Sequence, residues 1–177
     1  MRKKMRGPLF IIGLLFVIAT TTVERAQNQP ERTEQIFRVT VNYGRSVKRG
    51  VRAGHYNYVN PDVVSENFSS KETGTKEIFI HLVSFNKTVS ANEALAELDK
   101  RGFRPANTQE CMAFGEKHPD VQREFPIAFL GAVWRDFYGG RYCLCLAGDS
   151  VGRYLVVGWI DDDWKEMYHY RFAAVRK

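Results

Sequence analysis

At 177 residues, with a formal charge of +6, the chain has room for one domain with a real core and needs no staple to fold. Arg2, Lys3, Lys4 and Arg6 supply four of those charges at the extreme N-terminus, which leaves +2 for the rest and excludes a nucleic-acid footprint. Cys111, Cys143 and Cys145 are odd in number and form no CxxC pair, so neither a disulfide framework nor a zinc site is written here.

In chain order, MRKKMRG is a positively charged start, and the sixteen residues from Pro8 to Val23 form an apolar run without a charge. This is the pattern of an export signal. Residues 1–23 are read as a signal peptide or a signal anchor. Ala19 and Thr21 are small enough for a weak cleavage pair, and the apolar run falls just short of a usual membrane span. Basic residues before the run place the remainder outside the cytoplasm, either secreted or anchored by an N-terminal transmembrane segment. No Cys follows for lipid attachment. Residues 24–35 are polar, hold one Pro and show no hydrophobic period, as a linker does.

A single domain is expected over 36–177. Phe37, Val39, Val41 and Tyr43 alternate with Arg38, Thr40 and Asn42, the pattern of a half-buried strand. In GRSVKRGVRAGHYNY, Arg45, Lys48, Arg49 and Arg52 stand beside His55, Tyr56 and Tyr58. Four dispersed charges make a weak patch, so a solvated loop is expected rather than a grip on an anionic polymer. Residues 60–76 are turn-rich and irregular. Asn67-Phe68-Ser69 and Asn86-Lys87-Thr88 match the glycosylation acceptor pattern, which matters in a eukaryotic secretory pathway.

Glu77 to Phe85 is apolar on both faces and reads as a central strand covered on both sides, with His81 a hydrogen-bonded core histidine. Ser90 and Glu93 then form a capping box, Leu95 and Leu98 with Ala91 and Ala94 give a buried stripe, and Gly102 stops the helix. A second helix starts at Asn107 or Thr108, with Glu110 placed to cap back to Asn107. Its stripe is Cys111, Phe114, Gly115 and His118, one more turn follows Pro119, and Pro126 ends it.

The last stretch, Phe125 to Lys177, holds FPIAFLGAVW, RYCLCL, RYLVVGW and YRFAAVR, separated by FYGG, AGDSVG and DDDWKEM. Four antiparallel strands joined by turns are expected. All three Trp and five of the eight Tyr lie in this stretch, more ring surface than one small core takes up, so part of it is expected to face outward as a recognition surface. By strand parity, Leu155, Val157 and Trp159 form the inner set with Tyr142, Leu144 and Leu146. Tyr154, Val156, Gly158 and Ile160, with Cys143 and Cys145, then form the outer one.

The two helices, the strand ending in Ala132-Val133-Trp134, Gly139-Gly140-Arg141-Tyr142, Gly158-Trp159, Trp164 and the closing Arg171 to Lys177 resemble a C-type-lectin-like domain. The likeness spans about 77–177. It is closest to the variable proteins of bacterial and archaeal diversity-generating retroelements, on the branch of the fold shared with formylglycine-generating enzymes. The resemblance implies an α+β, C-type-lectin-like fold, with two helices packed on a mostly antiparallel sheet. It implies a scaffold of Leu155, Val157, Trp159, Trp164 and Phe172. The implied contact set is Cys143, Cys145, Tyr154, Val156, Gly158, Ile160, Asp161, Asp162, Tyr168 and Tyr170. Lys165, Glu166 and Met167 depart from the family's diversified Asn codons, so either those positions are fixed or this copy is not diversified. The calcium motifs of sugar-binding lectins are missing, so calcium-dependent sugar binding is not implied.

Asp161-Asp162-Asp163 lacks EF-hand spacing and is expected to be a solvated turn rather than a metal site. No nucleophile triad, HExxH, phosphate loop or dinucleotide fingerprint occurs. A redox pair at Cys143 and Cys145 would stretch disulfide geometry, so two free thiols are expected. The expectation is therefore a non-enzymatic, extracytoplasmic ligand-binding domain with no cofactor, meeting a protein or glycan but not nucleic acid. An enzyme of the formylglycine-generating type and a structural envelope protein are the alternatives.

Overall fold

The computed structural model describes residues 34–85, 87–161 and 169–177. The expected leader, most of the expected linker and the acceptor Asn86 lie outside the described residues. No helix among the described residues is long and apolar enough to cross a membrane.

The alternating stretch near the linker forms β1 (Glu34–Asn42), which pairs along its whole length, antiparallel, with β3 (Thr75–Val83). Strand β3 is central, as its apolarity on both faces requires, with β1 on one side and β8 (Arg171–Arg176) on the other. His81 on β3 is buried and hydrogen-bonded through Nδ1 to the Glu34 carboxylate, the core histidine that the sequence implied.

Between β1 and β3 the structure corrects one expectation. Residues Val47–Gly54 are not a loop but a helix, α1. Ser46 caps its start by accepting from the Arg49 amide, and His55, at φ 49°, ends it in the left-handed region. Its buried face is Val47, Gly50 and Gly54. Two of those three are glycines, which carry no hydropathy signal, yet they let α1 lie directly on its neighbours: a Cβ at Gly50 would stand 2.7 Å from the Met112 side chain. A two-residue strand, β2 (Tyr58–Val59), follows and pairs parallel with β7.

Helix α2 (Ala91–Lys100) and helix α3 (Thr108–Lys117) carry the capping boxes legible in the sequence, Ser90 with Glu93 and Asn107 with Glu110. Between them β4 (Phe103–Pro105) pairs with β8. Glu110 does more than cap. It is fully buried, and its carboxylate accepts from both guanidinium ends of Arg104 (2.6 and 2.9 Å), the Tyr43 hydroxyl (2.7 Å) and the Asn107 amide (2.7 Å). Every acceptor direction is occupied, so the charge is tolerated in the interior. A one-turn helix, α4 (Val121–Glu124), then leads into the sheet.

Strands β5 (Ile127–Arg135), β6 (Arg141–Gly148) and β7 (Arg153–Trp159) form the expected antiparallel meander. The fourth segment does not extend it. Strand β8 inserts between β3 and β5, antiparallel to the first and parallel to the second, giving an eight-stranded mixed sheet of order β1-β3-β8-β5-β6-β7-β2 with β4 beside β8. Ala173 and Ala174 are buried on opposite faces of β8, and their small size suits a strand enclosed from both sides.

The protein is α+β, with apolar clusters on both faces of the sheet. On one face Val39, Val41, Ile80, Leu144, Leu146 and Leu155 meet α1 and α3 through Val47, Met112 and Phe114. On the other, Val83, Ala128, Cys143, Cys145 and Phe172 form a second cluster with Ala94 and Leu98 of α2 and with Phe103. Full burial of a Leu or Phe side chain stabilises by roughly 1.5–3 kcal/mol, so neither face is spare over this region.

Beneath the first face, Arg153 is buried at the C-terminal ends of two helices. Its guanidinium donates to the carbonyls of Gly54 (2.6 Å) in α1 and Gly115 (2.5 Å) in α3, and to Gln122 Oε1 (3.0 Å). A cation there complements the negative ends of both helix dipoles. The Tyr56 ring lies 5.0 Å from the guanidinium carbon and completes its wall.

Candidate recognition surface

The most exposed rings of the described residues sit at the tip of the β5–β6 hairpin. Phe137 is 96% exposed and Tyr138 92%, and the two rings meet edge to face with centroids 5.5 Å apart. The turn beneath them is well fastened. The Asp136 amide donates to the Gly140 carbonyl (3.0 Å), the Gly139 amide to the Asp136 carbonyl (3.2 Å) and the Gly140 amide to Asp136 Oδ1 (2.8 Å). Arg135 adds a bond to the Gly139 carbonyl (3.2 Å), and the Tyr142 hydroxyl adds one to Asp136 Oδ2 (3.3 Å). Gly139 has φ 89°, a conformation that a side chain would strain.

Behind the tip, Trp134, Tyr142 and Trp159 are direct neighbours across β5, β6 and β7. Trp134 packs on Tyr142 with ring centroids 5.3 Å apart and reaches Phe68 in the first cluster. Trp159, at the outer end of the row, is 50% exposed, although its parity had placed it in the scaffold. It ends β7, beyond the cover of the helices that bury Leu155. Arg141 and Asp161 close the same end: the Asp161 carboxylate accepts from the Arg141 amide (2.6 Å) and Nε (2.5 Å). These bonds hold its pKa below the usual carboxylate range. The Tyr142 hydroxyl is pushed up by desolvation and then by the Asp136 carboxylate.

The expected contact set divides. Cys143 and Cys145 are buried in the second cluster and do not face solvent, and Ile160 is buried beside them. The parity assigned to them is right, but the face they point to is itself a core. Burial drives the Cys143 thiol well above its ordinary pKa, and the two sulfurs lie 3.7 Å apart, in hydrogen-bond contact and not joined as a disulfide. Tyr154 is half-buried, its hydroxyl held by Asp149 (3.0 Å) on its own hairpin. Val156 and Tyr170 are half-buried against the second cluster, Gly158 is half-buried, and Asp161 is exposed. Burial pushes the Tyr170 hydroxyl up to about 12. Asp162, Trp164 and Tyr168 lie outside the described residues. Leu155 and Phe172 are buried, as scaffold positions should be, and Val157 is half-buried.

Phe137 and Tyr138 were missed because FYGG reads as a spacer between strands. The available signal was the pair of large rings in a turn that glycines alone could have made. Among the described residues, no three His, Cys, Asp or Glu side chains cluster as metal ligands. What the hairpin end offers chemically is ring surface with a flanking guanidinium, suited to stacking and apolar contact.

No protein-family model matches this chain, and comparison with curated proteins and with solved structures returns no match.

Proposed function

We propose that this chain is a non-enzymatic recognition domain that works outside the cytoplasm, secreted or held at a membrane by its N-terminal segment. It meets a protein or glycan with the aromatic end of β5–β7, and Phe137 and Tyr138 lead the contact. The observation that carries this reading is their near-complete exposure on a turn locked by hydrogen bonds. Keeping such rings in water forgoes roughly 1.5–3 kcal/mol of burial apiece. A rigid aromatic loses little conformational freedom on binding, which is why antibody loops are rich in Tyr. The interior placement of Cys143 weighs against thiol chemistry of the formylglycine-generating type, since an oxidisable nucleophile needs access and a thiolate.

The C-type-lectin-like assignment is part of the same proposal. It is supported by two capped helices preceding a β-meander and by the Gly139 to Tyr142 and Gly158-Trp159 motifs at its outer end.

The test is photo-crosslinking. Benzoylphenylalanine replacing Tyr138 should give a discrete adduct with an extracytoplasmic protein or glycan, competed away by unlabelled protein. The same probe at exposed Lys71 should give none. Equal labelling from both positions, or none from Tyr138, contradicts the proposal.

A further inference from the structure

The chemistry of the aromatic hairpin limits the kind of partner that it can take. Phe137 and Tyr138 bring one polar side-chain atom between them, the Tyr138 hydroxyl, and the polar side chains around them are engaged within the chain. Asp136 accepts from the Gly140 amide on Oδ1 and from the Tyr142 hydroxyl on Oδ2, and the Arg135 guanidinium donates to the Gly139 carbonyl. The Asp161 carboxylate accepts from the Arg141 amide and Nε and from the Trp159 side chain. A sugar stacked on aromatic rings turns its hydroxyls toward neighbouring side chains, and each hydroxyl desolvated without a partner counts against binding. Sites for polar ligands therefore set a few free polar groups around their rings. Here the side chains that could serve are bonded to one another or to the backbone of the turn. The two rings also stand 86° to each other, so they offer no continuous platform for a run of sugars.

Shape points the same way. At 96% and 92% exposure the rings stand clear of the surface behind them, so the concavity in which they become buried has to come from the partner. Five hydrogen bonds fix the turn beneath: two within its backbone, two to Asp136 and one from Arg135. Rigidity of this kind lowers the ordering cost of a fitted contact, which matters against a partner whose own shape is fixed. A fluid bilayer takes up apolar side chains without asking for a preset shape.

We propose that the hairpin tip is a knob that enters an apolar cleft on a partner protein. Phe137 and Tyr138 are its anchors, as buried aromatics are at the centre of protein interfaces, and the contact uses neither an ion pair nor the Tyr138 hydroxyl. This rests on the hairpin reading and narrows its partner from a protein or glycan to a protein.

The test uses the full-length chain with benzoylphenylalanine replacing Tyr138, offered separately to three probes. These are the extracytoplasmic protein fraction of the cells that make the chain, a panel of soluble glycans, and vesicles of phosphatidylcholine and phosphatidylglycerol. The adduct should form in the protein fraction, be destroyed by protease and survive periodate, and mass spectrometry should map it to apolar residues of one protein. With that protein purified, Phe137→Ala should weaken binding by about tenfold or more. Tyr138→Phe, and separately high salt, should change the affinity by less than about threefold, since neither a hydroxyl bond nor an ion pair takes part. An adduct with glycans alone overturns this proposal and leaves the hairpin reading standing, as does a loss for Tyr138→Phe as large as that for Phe137→Ala. Adducts with the vesicles alone, or with no probe, overturn both.

Discussion

Replacing Arg153 with Met keeps most of the side-chain volume and removes every hydrogen bond that ties the C-termini of α1 and α3 to β7. In the variant the carbonyls of Gly54 and Gly115 and the Oε1 of Gln122 lose their donor in the interior. A stranded buried polar group costs about 1–3 kcal/mol, while removing a buried guanidinium relieves desolvation that no carboxylate offsets here. Taking the low end for each of the three acceptors gives a loss of about 3 kcal/mol, or about 10 °C in Tm for a domain of this size. Arg153→Lys keeps the charge but cannot reach all three acceptors, and should lie between. Urea denaturation followed by far-UV circular dichroism, with m held constant, reads the difference. A loss below about 0.5 kcal/mol for Arg153→Met would mean that the guanidinium is not what joins the helices to the sheet.

Glu110→Gln leaves Arg104 and Tyr43 facing a neutral amide in the interior. The expected cost is about 2–3 kcal/mol, toward the low end for a broken buried pair because Arg104 keeps some exposure. Thermal denaturation beside Glu97→Gln, a surface pair worth about 0.5 kcal/mol, makes the comparison. Asp161 has a folded pKa below its unfolded value, so its tie to Arg141 is complete above the usual carboxylate pKa and is lost as pH falls through the folded one. The Arg141 amide resonance should follow that titration, and Asp161→Asn should abolish it. Cys111 and Cys143 are buried with thiols raised by desolvation, and Cys145 is buried beside them. A thiol reagent at pH 8 should therefore find the native protein inert and label all three cysteines in denaturant. Rapid native labelling would refute the two-faced core.

What could be read from the chain was what local chemistry encodes. Ser90 with Glu93 and Asn107 with Glu110 announced two helices, and the apolar residues on both faces of Glu77 to Phe85 announced a central strand, which is covered on both faces from Ile80 to Val83 but leaves Phe79 53% exposed. Helix α1 stayed hidden because glycines make much of its buried face, so its sidedness lay in the exposed Lys48, Arg49 and Arg52, a basic run that reads equally as a solvated loop. The place of β8 between β3 and β5 depends on partners far apart in sequence, and local pattern carries no record of them. Parity sorted Cys143 and Cys145 from Leu144 and Leu146 correctly. Apolar residues on both parities meant two buried faces rather than one spare face, and the open rings belonged to the turn.

The central claim is that Phe137 and Tyr138 are displayed for contact and add nothing to the fold. The direct measurement is binding of the wild-type chain and of Phe137→Ala/Tyr138→Ala to one panel of glycans and extracytoplasmic proteins, with Tm recorded for both. The account predicts unchanged Tm and at least a tenfold loss of binding to whatever the wild type captures. Equal binding by the double variant, or a Tm lowered by several degrees, would contradict it.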